Sequence, residues 1–402
     1  MSARVEARLS GTRTNGHPTG KGRHPLRVRA DVPRATRVAV KVGSSSLTRP
    51  DGHLDVGDLR ALTDALAEVW DRGTQVVLVS SGAQAAAMGP LKLKHKPRTL
   101  ADAQAAASVG QGLLIAEYTK AFAAHGLQVG QMLLTPEDIL RRGHHRNASR
   151  ALERVLSLGV LPIINENDTV VTNEIRFGDN DRLAALVAHL VDADVLVLLT
   201  DVDALYDKSP RLPDAKKVEE IHSFDQAAAL DVGTPGSSLG TGGMSSKIAA
   251  AAMATSSGIP VLLTSAENAS RALAGEDVGT WFHVTGRPLA PRQMWLAYAA
   301  DVRGAVIVDD GAAEAVTNWN ASLLPVGVTG VENQFHAGDP IEIKDGEGTV
   351  LARGVAGHDS DWIPRLSGMS MQTIEEVYGG EHAHEVVHRD ELVVMARHRR
   401  VR

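Results

Sequence analysis

The sequence predicts an α/β protein with a mostly parallel sheet sandwiched by helices, followed by a small, mainly β domain. From Arg37 to about residue 290, near-continuous apolar stretches alternate with stretches of helical periodicity, a pattern typical of a parallel sheet covered on both faces. Polar residues crowd the ends of several apolar stretches, which is where open α/β sheets bind ligands. Beyond residue 301, short apolar stretches are separated by Gly, Pro and Asp turns, which indicates a separate β domain.

The predicted elements follow one another in a regular order. Six strands are expected in the first domain: RVAVKV (37–42), QVVLVS (75–80), VGQMLL (129–134), VLPIIN (160–165), DVLVLLT (194–200) and GIPVLLT (258–264). Helices are expected at 58–70, at 101–124 and after Thr241. The second domain is expected to consist of short strands, including GAVIVDDGAAEAV (304–316). We therefore expect a first domain at 35–295 and a second at 301–392, with the stretch 289–300 between them.

Composition narrows the class of protein. The chain has 402 residues, enough for two domains, and a formal net charge of −6, which argues against nucleic-acid binding by the chain as a whole. It has no cysteine, which excludes disulfides, thiolate metal sites and cysteine nucleophiles. No apolar run approaches the roughly 20 residues of a membrane span. We expect a cytoplasmic protein without membrane contact.

Residues 1–34 differ from the rest of the chain. They contain eight Lys or Arg residues against two acidic ones and show no apolar periodicity, so a disordered basic tail is expected. A secretory signal is not expected, because the apolar core of such a signal is missing. The Arg-rich, acid-poor composition leaves an organelle transit peptide open as an alternative.

Two strand ends carry small and basic residues. Lys41 ends the first strand and is followed by Gly43 and three serines, a combination that suits a phosphate group, although a plain turn with a solvated lysine fits as well. Ser81 and Gly82 follow the second strand, and their donors suit a carboxylate or simply cap a helix.

Two acidic and amide-rich clusters are more informative. INENDTV (164–170) places four adjacent polar residues at the end of an apolar strand, which is costly unless they turn, cap or bind something. GDND (178–181) comes directly before a helix, and only one of its residues is needed as a cap. The remaining side chains suit a substrate amine or bound cations.

The Gly-rich stretch GTGGMSSK (240–247) precedes an Ala-rich helix and has Lys247 in the first helical turn. Backbone N–H groups at a helix start bind anions, so this stretch is a candidate nucleotide site, with a bare linker as the alternative. The spacing is not that of a Walker A loop. His382, His384 and His388 invite a metal assignment, but no second ligand cluster supports it, so no protein-held metal is predicted.

The ordered set KVGSSSL, VSSGA, NEND, GDND, LLTD and TGGMSSK resembles the glutamate 5-kinases of the amino-acid kinase superfamily. The C-terminal segment, with SLLPVGV and VVHRDEL, looks like a PUA domain. The resemblance covers residues 36–392, with one departure: Ser246 stands where the family often has Thr. A Lys followed by Gly-Gly, usual in aspartokinases and acetylglutamate kinases, is replaced here by Lys41-Val-Gly43.

The resemblance implies the fold of the family, the ATP-dependent phosphorylation of the glutamate side-chain carboxylate, and the roles of individual residues. Contacts to glutamate are implied for Ser81, Asp168 and Asn180. Contacts to ATP are implied for Lys41, Thr200, Asp201, Thr241, Gly242, Gly243, Met244, Ser245, Ser246 and Lys247. Lys41 and Lys247 would flank the transferred phosphoryl group, and Asp181 would orient them. It further implies nucleotide-bound Mg²⁺, a homo-oligomer and feedback inhibition by proline.

Two alternatives remain at this point: another small-carboxylate kinase of the same fold, and an RNA-binding protein that acts through the PUA-like domain. Residues 301–390 contain 16 acidic and 5 basic residues, a formal charge of −11, and phosphate-backbone affinity depends on Lys and Arg. We therefore expect that nucleic acid is not a partner.

Overall fold

The protein is described from a computed structural model, which covers residues 26–395 except 50, 94, 96, 98, 136–137, 140–141, 171–179, 211, 224–225, 228–229, 231–242, 285–292, 294, 300–301 and 320. Two sheets organise this part of the chain, one of eight strands and one of five. Within these ranges, no helix combines the length and the apolar character needed to cross a bilayer.

The eight-stranded sheet is formed by residues 37–282. Its strands are β1 (Arg37–Val42), β2 (Gln75–Val79), β3 (Gln128–Leu134), β4 (Val160–Glu166), β5 (Val195–Thr200), β8 (Glu220–Ile221), β9 (Val261–Ser265) and β10 (Thr280–Phe282). The spatial order is β3-β4-β2-β1-β5-β9-β10-β8, and every pair is parallel except β9–β10. Two further strands, β6 (Leu205–Tyr206) and β7 (Lys217–Val218), form a separate antiparallel pair. All six strands predicted from the sequence are present.

Helices cover both faces of this sheet, as a parallel sheet requires. They are α1 (Val56–Asp71), α2 (Ala83–Met88), α3 (Leu100–Ala123), α4 (Arg142–Ser157), α5 (Asn180–Leu190), α6 (Met244–Ser256) and α7 (Ala269–Leu273). Side chains of α4, α5 and α6 fill the core on one face, and those of α1, α3 and α7 fill it on the other. Many of the side chains that α5 and α6 bury in this core are alanines.

The second sheet has its own core. Its strands are β11 (Gly304–Val308), β12 (Val328–Glu332), β13 (Pro340–Lys344), β14 (Val350–Val355) and β15 (Leu392–Val394), in the order β12-β11-β13-β14-β15. Three short helices accompany it: α8 (Asp310–Trp319), α9 (Ile363–Leu366) and α10 (Met371–Tyr378). The turn Trp295–Ala299 joins the two units, because Trp295 contacts the core of the first and Leu296 packs on Val355 and Val393 of the second.

The strand expectation is wrong for the second half of GAVIVDDGAAEAV. Residues 310–319 form α8 because Asp309 caps its start: the Ala312 N–H donates to Asp309 Oδ1 at 2.8 Å. The Ala-rich sequence that follows favours a helix over a strand.

The expectation of a disordered tail through residue 34 is wrong for its last residues; residues 1–25 lie outside the described ranges. Arg29–Arg34 form a short 3-10 helix, and Leu26 and Val32 are buried in the core cluster of the first sheet. The Arg29 guanidinium pairs with Asp277 and donates to the carbonyl of Glu219. Two apolar residues are too few to give a visible period, so the sequence pattern did not reveal this docking.

We expect deletion of residues 1–34 to destabilise the protein, whereas deletion of 1–25 leaves the free energy of unfolding nearly unchanged. Burial of Leu26 and Val32 stabilises the fold by roughly 1.5–3 kcal/mol each, so the longer deletion costs at least about 3 kcal/mol. Urea unfolding of both truncated proteins measures the difference. Equal unfolding midpoints for the two truncations would contradict the docking of residues 26–34.

Candidate functional site

Lys41 reaches the site because of strand alternation in β1. Val38, Val40 and Val42 point to the face covered by α1 and α3, whereas Ala39 points to the face covered by α5 and α6. Lys41 shares the face of Ala39 and lies one residue from the end of the strand. Its side chain is therefore carried to the starts of α5 and α6 and is almost fully buried there, at 3% exposure.

Asp181 holds two lysines at this place. Its carboxylate pairs with the ammonium group of Lys41 through Oδ1 and with that of Lys247 through Oδ2 at 3.2 Å. Asp181 is fully buried, which alone raises its pKa, but the two ammonium groups outweigh burial and hold the pKa of the carboxyl below its usual value. Two cations against one anion leave a net positive charge, so the arrangement suits a polyanion such as a phosphate chain.

The start of α6 supplies the second lysine. Gly243 is the N-cap and has no side chain with which to cap the helix. The hydroxyl of Ser246 donates to the Gly243 carbonyl at 2.8 Å and to Asp181 Oδ2 at 3.2 Å, which ties this helical turn to α5. Met244 is half-buried and Ser245 exposed. The predicted residues Thr241 and Gly242 lie outside the described residues.

Asn180 precedes Asp181 and faces a different group of side chains. Its Nδ2 donates to the Ser80 carbonyl at 2.6 Å and to Asn165 Oδ1 at 2.7 Å, and it lies 3.0 Å from Ser81 Oγ. The structure thus brings together two of the three residues predicted to contact glutamate, Ser81 and Asn180. The third, Asp168, is half-buried on the turn that follows β4.

Thr200 and Asp201 lie on the other side of Lys41. The Gly43 N–H donates to the carbonyl of Leu199 at 3.3 Å, so the turn after β1 abuts the end of β5. Thr200 is buried and donates through its hydroxyl to Asp201 Oδ1 at 2.9 Å, whereas Asp201 itself is exposed. These two residues therefore border the lysine pair.

Sequence reasoning missed two residues that hold the site in place. Asn165 Oδ1 accepts from Asn180 Nδ2 and also, at 2.9 Å, from the N–H of Glu166, so it locks α5 to the end of β4. The signal for Asn165 was its place in the NEND cluster. The hydroxyl of Tyr118 lies 2.9 Å from Ser80 Oγ in the core, and a tyrosine in mid-helix gives no sequence signal.

Two glycines allow the turn that carries Ser81. Gly82 has a φ of +103°, a left-handed conformation in which a side chain would be strained. A Cβ on Gly110 of α3 would lie 1.7 Å from the Ala83 carbonyl oxygen, so α3 touches the start of α2 only because that side chain is missing. The turn therefore lies close against α3.

The three C-terminal histidines make different contacts. His382 stacks on Trp362 at 3.9 Å between ring centroids, and His384 stacks on His358 at the same centroid distance. His388 caps a short turn, because its Nδ1 accepts from the Asp390 N–H at 3.2 Å.

Comparison with known proteins identifies related families and proteins. A profile of the Amino acid kinase family matches residues 36–265, and one of the PUA domain matches residues 304–378. A relative from Streptomyces coelicolor named "Glutamate 5-kinase" is 54% identical over 368 residues, which cover 91% of this chain and 98% of that protein. A Thermobifida fusca protein of the same name is 54% identical over 369 residues, with coverages of 91% and 95%. The solved structure of Giardia carbamate kinase covers 62% of this chain and 99% of its own, at 19% identity and a TM-score of 0.46.

The fold is that of an α/β protein with a mostly parallel sheet, and two buried lysines share one aspartate at its helix starts. The chain belongs to the amino acid kinase family and carries a C-terminal PUA domain. The fold class predicted from the sequence and the resemblance stated on its motifs are both confirmed.

Proposed function

We propose that this protein is an ATP-dependent kinase that phosphorylates the side-chain carboxylate of L-glutamate to glutamyl 5-phosphate, the first step of proline biosynthesis. The observation that carries the proposal is the start of α5. Asp181 there pairs with Lys41 and Lys247, and the Nδ2 of the preceding Asn180 lies 3.0 Å from Ser81 Oγ. In this proposal a phosphate-binding half and a carboxylate-binding half therefore lie side by side at one helix start, and the relatives named above support the choice of glutamate.

The chemistry requires charge and position and no general base. A glutamate side chain has an unperturbed pKa of about 4.3, so it is ionised at neutral pH and ready to attack. One carboxylate oxygen forms a bond to the γ-phosphorus, and the bond to the β–γ bridging oxygen breaks, which releases ADP. The main barrier is the repulsion between an anion and a polyanion, and Lys41 and Lys247 reduce it where negative charge develops.

Each half of the site takes one substrate in this proposal. Ser81, Asp168 and Asn180 hold glutamate, with Asp168 as the partner of its ammonium group. ATP contacts Lys41, Thr200, Asp201 and the segment 241–247, with its phosphates at the start of α6. The carboxylate of Asp181 is already paired with two lysines, so Mg²⁺ arrives on the nucleotide phosphates and is not held by this side chain.

The test is a substrate comparison with purified full-length protein. ATP and Mg²⁺ are incubated with glutamate, aspartate or acetylglutamate, and the acyl phosphate is trapped with hydroxylamine as a coloured hydroxamate. We expect hydroxamate with glutamate at a rate well above that with the other two acids. Turnover of aspartate or acetylglutamate in place of glutamate would assign the chain to another carboxylate kinase of the family.

We expect Asp168→Ala to raise the apparent KM for glutamate while kcat changes less, because a lost contact to the bound substrate weakens both the ground state and the transition state. Loss of a charged contact corresponds to roughly 1.5–3 kcal/mol, or about 10- to 100-fold in KM. Val170→Ala is the matched control, since Val170 lies on the same turn and is 63% exposed. An unchanged KM for glutamate in Asp168→Ala would remove this residue from the site.

The proposal also covers the domain bounds, the location, the oligomeric state and the regulation of the enzyme. We assign the kinase unit to residues 35–295 and the PUA-like unit to 301–392. We place the enzyme in the cytoplasm, where its substrates are made. A homo-oligomer, measured by light scattering, and inhibition by proline, measured in the hydroxamate assay, complete the proposal. Activity that proline does not inhibit would refute the proposed inhibition by proline and would leave the proposed reaction unaffected.

We expect the PUA domain not to bind RNA. Two of its few basic side chains are already held by carboxylates: Lys344 pairs with Glu332 at 2.7 Å, and Arg353 pairs with Glu342 at 2.9 Å. Structured RNA is titrated into the full-length protein at about 0.15 M salt, the range in which backbone contacts still operate. Micromolar binding that persists in residues 26–395, without the basic N-terminal residues 1–25 and the basic end ARHRR (396–400), would contradict this expectation.

A further inference from the structure

The edge of the first sheet brings two imidazoles and a carboxylate together. β8 and β10 pair in parallel, with Glu220 beside Trp281 and Ile221 beside Phe282. The pairing continues by one residue, because the His283 N–H donates to the Ile221 carbonyl at 2.9 Å. His222 and His283 are therefore neighbours, and their rings stack with centroids 4.2 Å apart and planes 14° apart.

Alternation along the strands puts all three polar side chains on one face. Ile221 and Phe282 point to the opposite face, where both are buried in the core. Glu220 and His222 are exposed and His283 is half-exposed, so an ion from solvent reaches all three. The core under the cluster fixes the two strands and with them the spacing of the ligand atoms.

The spacing of these atoms matches a single ion. Glu220 Oε2 lies 3.0 Å from His283 Nε2 and 3.5 Å from His222 Nε2, and all ligand atoms of the group lie within 4.8 Å of one another. Ligands bound at about 2.0–2.1 Å around a tetrahedral Zn²⁺ lie about 3.4 Å apart. Because the two rings are nearly parallel, both must rotate about their side-chain bonds before the two nitrogens and the carboxylate point at one centre.

We propose that Glu220, His222 and His283 form a binding site for a divalent transition-metal ion such as Zn²⁺, apart from the Lys41–Asp181–Lys247 site. Two imidazoles with one carboxylate favour Zn²⁺, Co²⁺ or Ni²⁺ over Mg²⁺, which prefers oxygen ligands. Three protein ligands leave the fourth position to water.

Neighbouring side chains hold the ligands of this site in place and also limit its affinity for an ion. Gln226 holds the backbone of two ligands, since its Oε1 accepts from the His222 N–H at 2.9 Å and its Nε2 donates to the Glu220 carbonyl at 3.4 Å. The guanidinium of Arg29 binds the neighbouring Glu219 carbonyl, and its positive charge opposes that of an ion. We therefore expect an affinity below that of a closed structural zinc site.

A bound ion would link the ends of β8 and β10 at the edge of the sheet. β8 is two residues long and is the terminal strand, with β10 as its neighbour in the sheet. A bond from residue 222 to residue 283 closes the stretch that contains α6 and its Lys247. Because the ion binds the folded state, it raises the melting temperature of the protein.

The test uses full-length protein stripped of metal and titrated with Zn²⁺ by calorimetry near pH 7.5. Wild type is compared with His222→Ala, His283→Ala and Glu220→Gln. The matched control is His125→Ala, which removes a surface histidine that pairs with Asp64 at 2.6 Å. We expect the three site variants to bind one Zn²⁺ at least about tenfold more weakly and to lose the rise in melting temperature, whereas His125→Ala behaves as wild type.

Two results would overturn the proposal: equal Zn²⁺ binding by wild type and all three site variants, or equal weakening in His125→Ala. The first would mean that the cluster is a hydrogen-bonded His–Glu–His group without an ion. A Co²⁺ titration provides a second readout, because tetrahedral Co²⁺ absorbs strongly in the visible range. Loss of that absorption in His283→Ala but not in His125→Ala is the expected result. Neither measurement depends on kinase activity.

Discussion

Replacement of Lys247 by alanine is expected to lower kcat by about 10²–10³-fold and to change KM for ATP and glutamate much less. Its ammonium group lies 3.2 Å from Asp181 Oδ2 at the start of α6, where the phosphates bind in our proposal. A preorganised charge of this kind acts mainly where negative charge develops in the transition state, and its removal typically costs this factor. Steady-state kinetics in the hydroxamate assay, with each substrate varied in turn, measures the split.

Two further variants show whether the effect of Lys247→Ala comes from the lost charge or from lost packing. Lys247→Met keeps the aliphatic stem in its buried environment and should lose activity as Lys247→Ala does. Lys120→Ala, at an exposed lysine of α3 outside this site, should leave kcat unchanged. Near-wild-type kcat in Lys247→Ala would show that Lys247 has no part in the reaction.

Replacement of Asp181 by asparagine is expected to reduce both activity and stability. It leaves the ammonium groups of Lys41 and Lys247 close together, nearly buried and without their shared anion. Removal of one partner from a buried ion pair costs about 3–5 kcal/mol, and kcat should fall by about 10²–10³-fold because neither lysine is held in place. Urea unfolding and the hydroxamate assay measure the two effects. Asp64→Asn, at an exposed carboxylate, should change neither.

The pH dependence of this variant provides a separate check. The pKa of Asp181 is lowered in the folded protein, so its stabilisation is present above the unfolded-state pKa of about 3.9 and is lost as pH falls through the lower folded-state value. The stability difference between wild type and Asp181→Asn should therefore stay constant from pH 8 to pH 5 and shrink only below about pH 4. A difference that already shrinks between pH 7 and pH 5 would mean that the folded-state pKa is raised.

The sequence by itself determined six strands and several helices of the first domain in their order along the chain, and it singled out most residues of the candidate site. Strands buried on both faces read as continuous apolar stretches, and polar residues at their ends are conspicuous because burial of such groups is costly. Lys41, Asn180, Asp181 and Lys247 were found in this way. A local sequence pattern was enough to find these residues, because strand ends, helix starts and glycine-rich turns are properties of a few adjacent residues.

Only the tertiary structure decided which of these residues meet. Asp181 and Lys247 are 66 residues apart and Asn180 and Ser81 are 99 apart, and their contacts depend on the order of strands in the sheet and on the packing of α5 against α6. The tertiary structure alone also brings Tyr118 beside Ser80, docks residues 26–34 on the first sheet and sets the register that makes His222 and His283 neighbours. Sequence periodicity says which face a side chain takes, but contacts between distant segments arise from the packing of the whole core, which no local pattern contains.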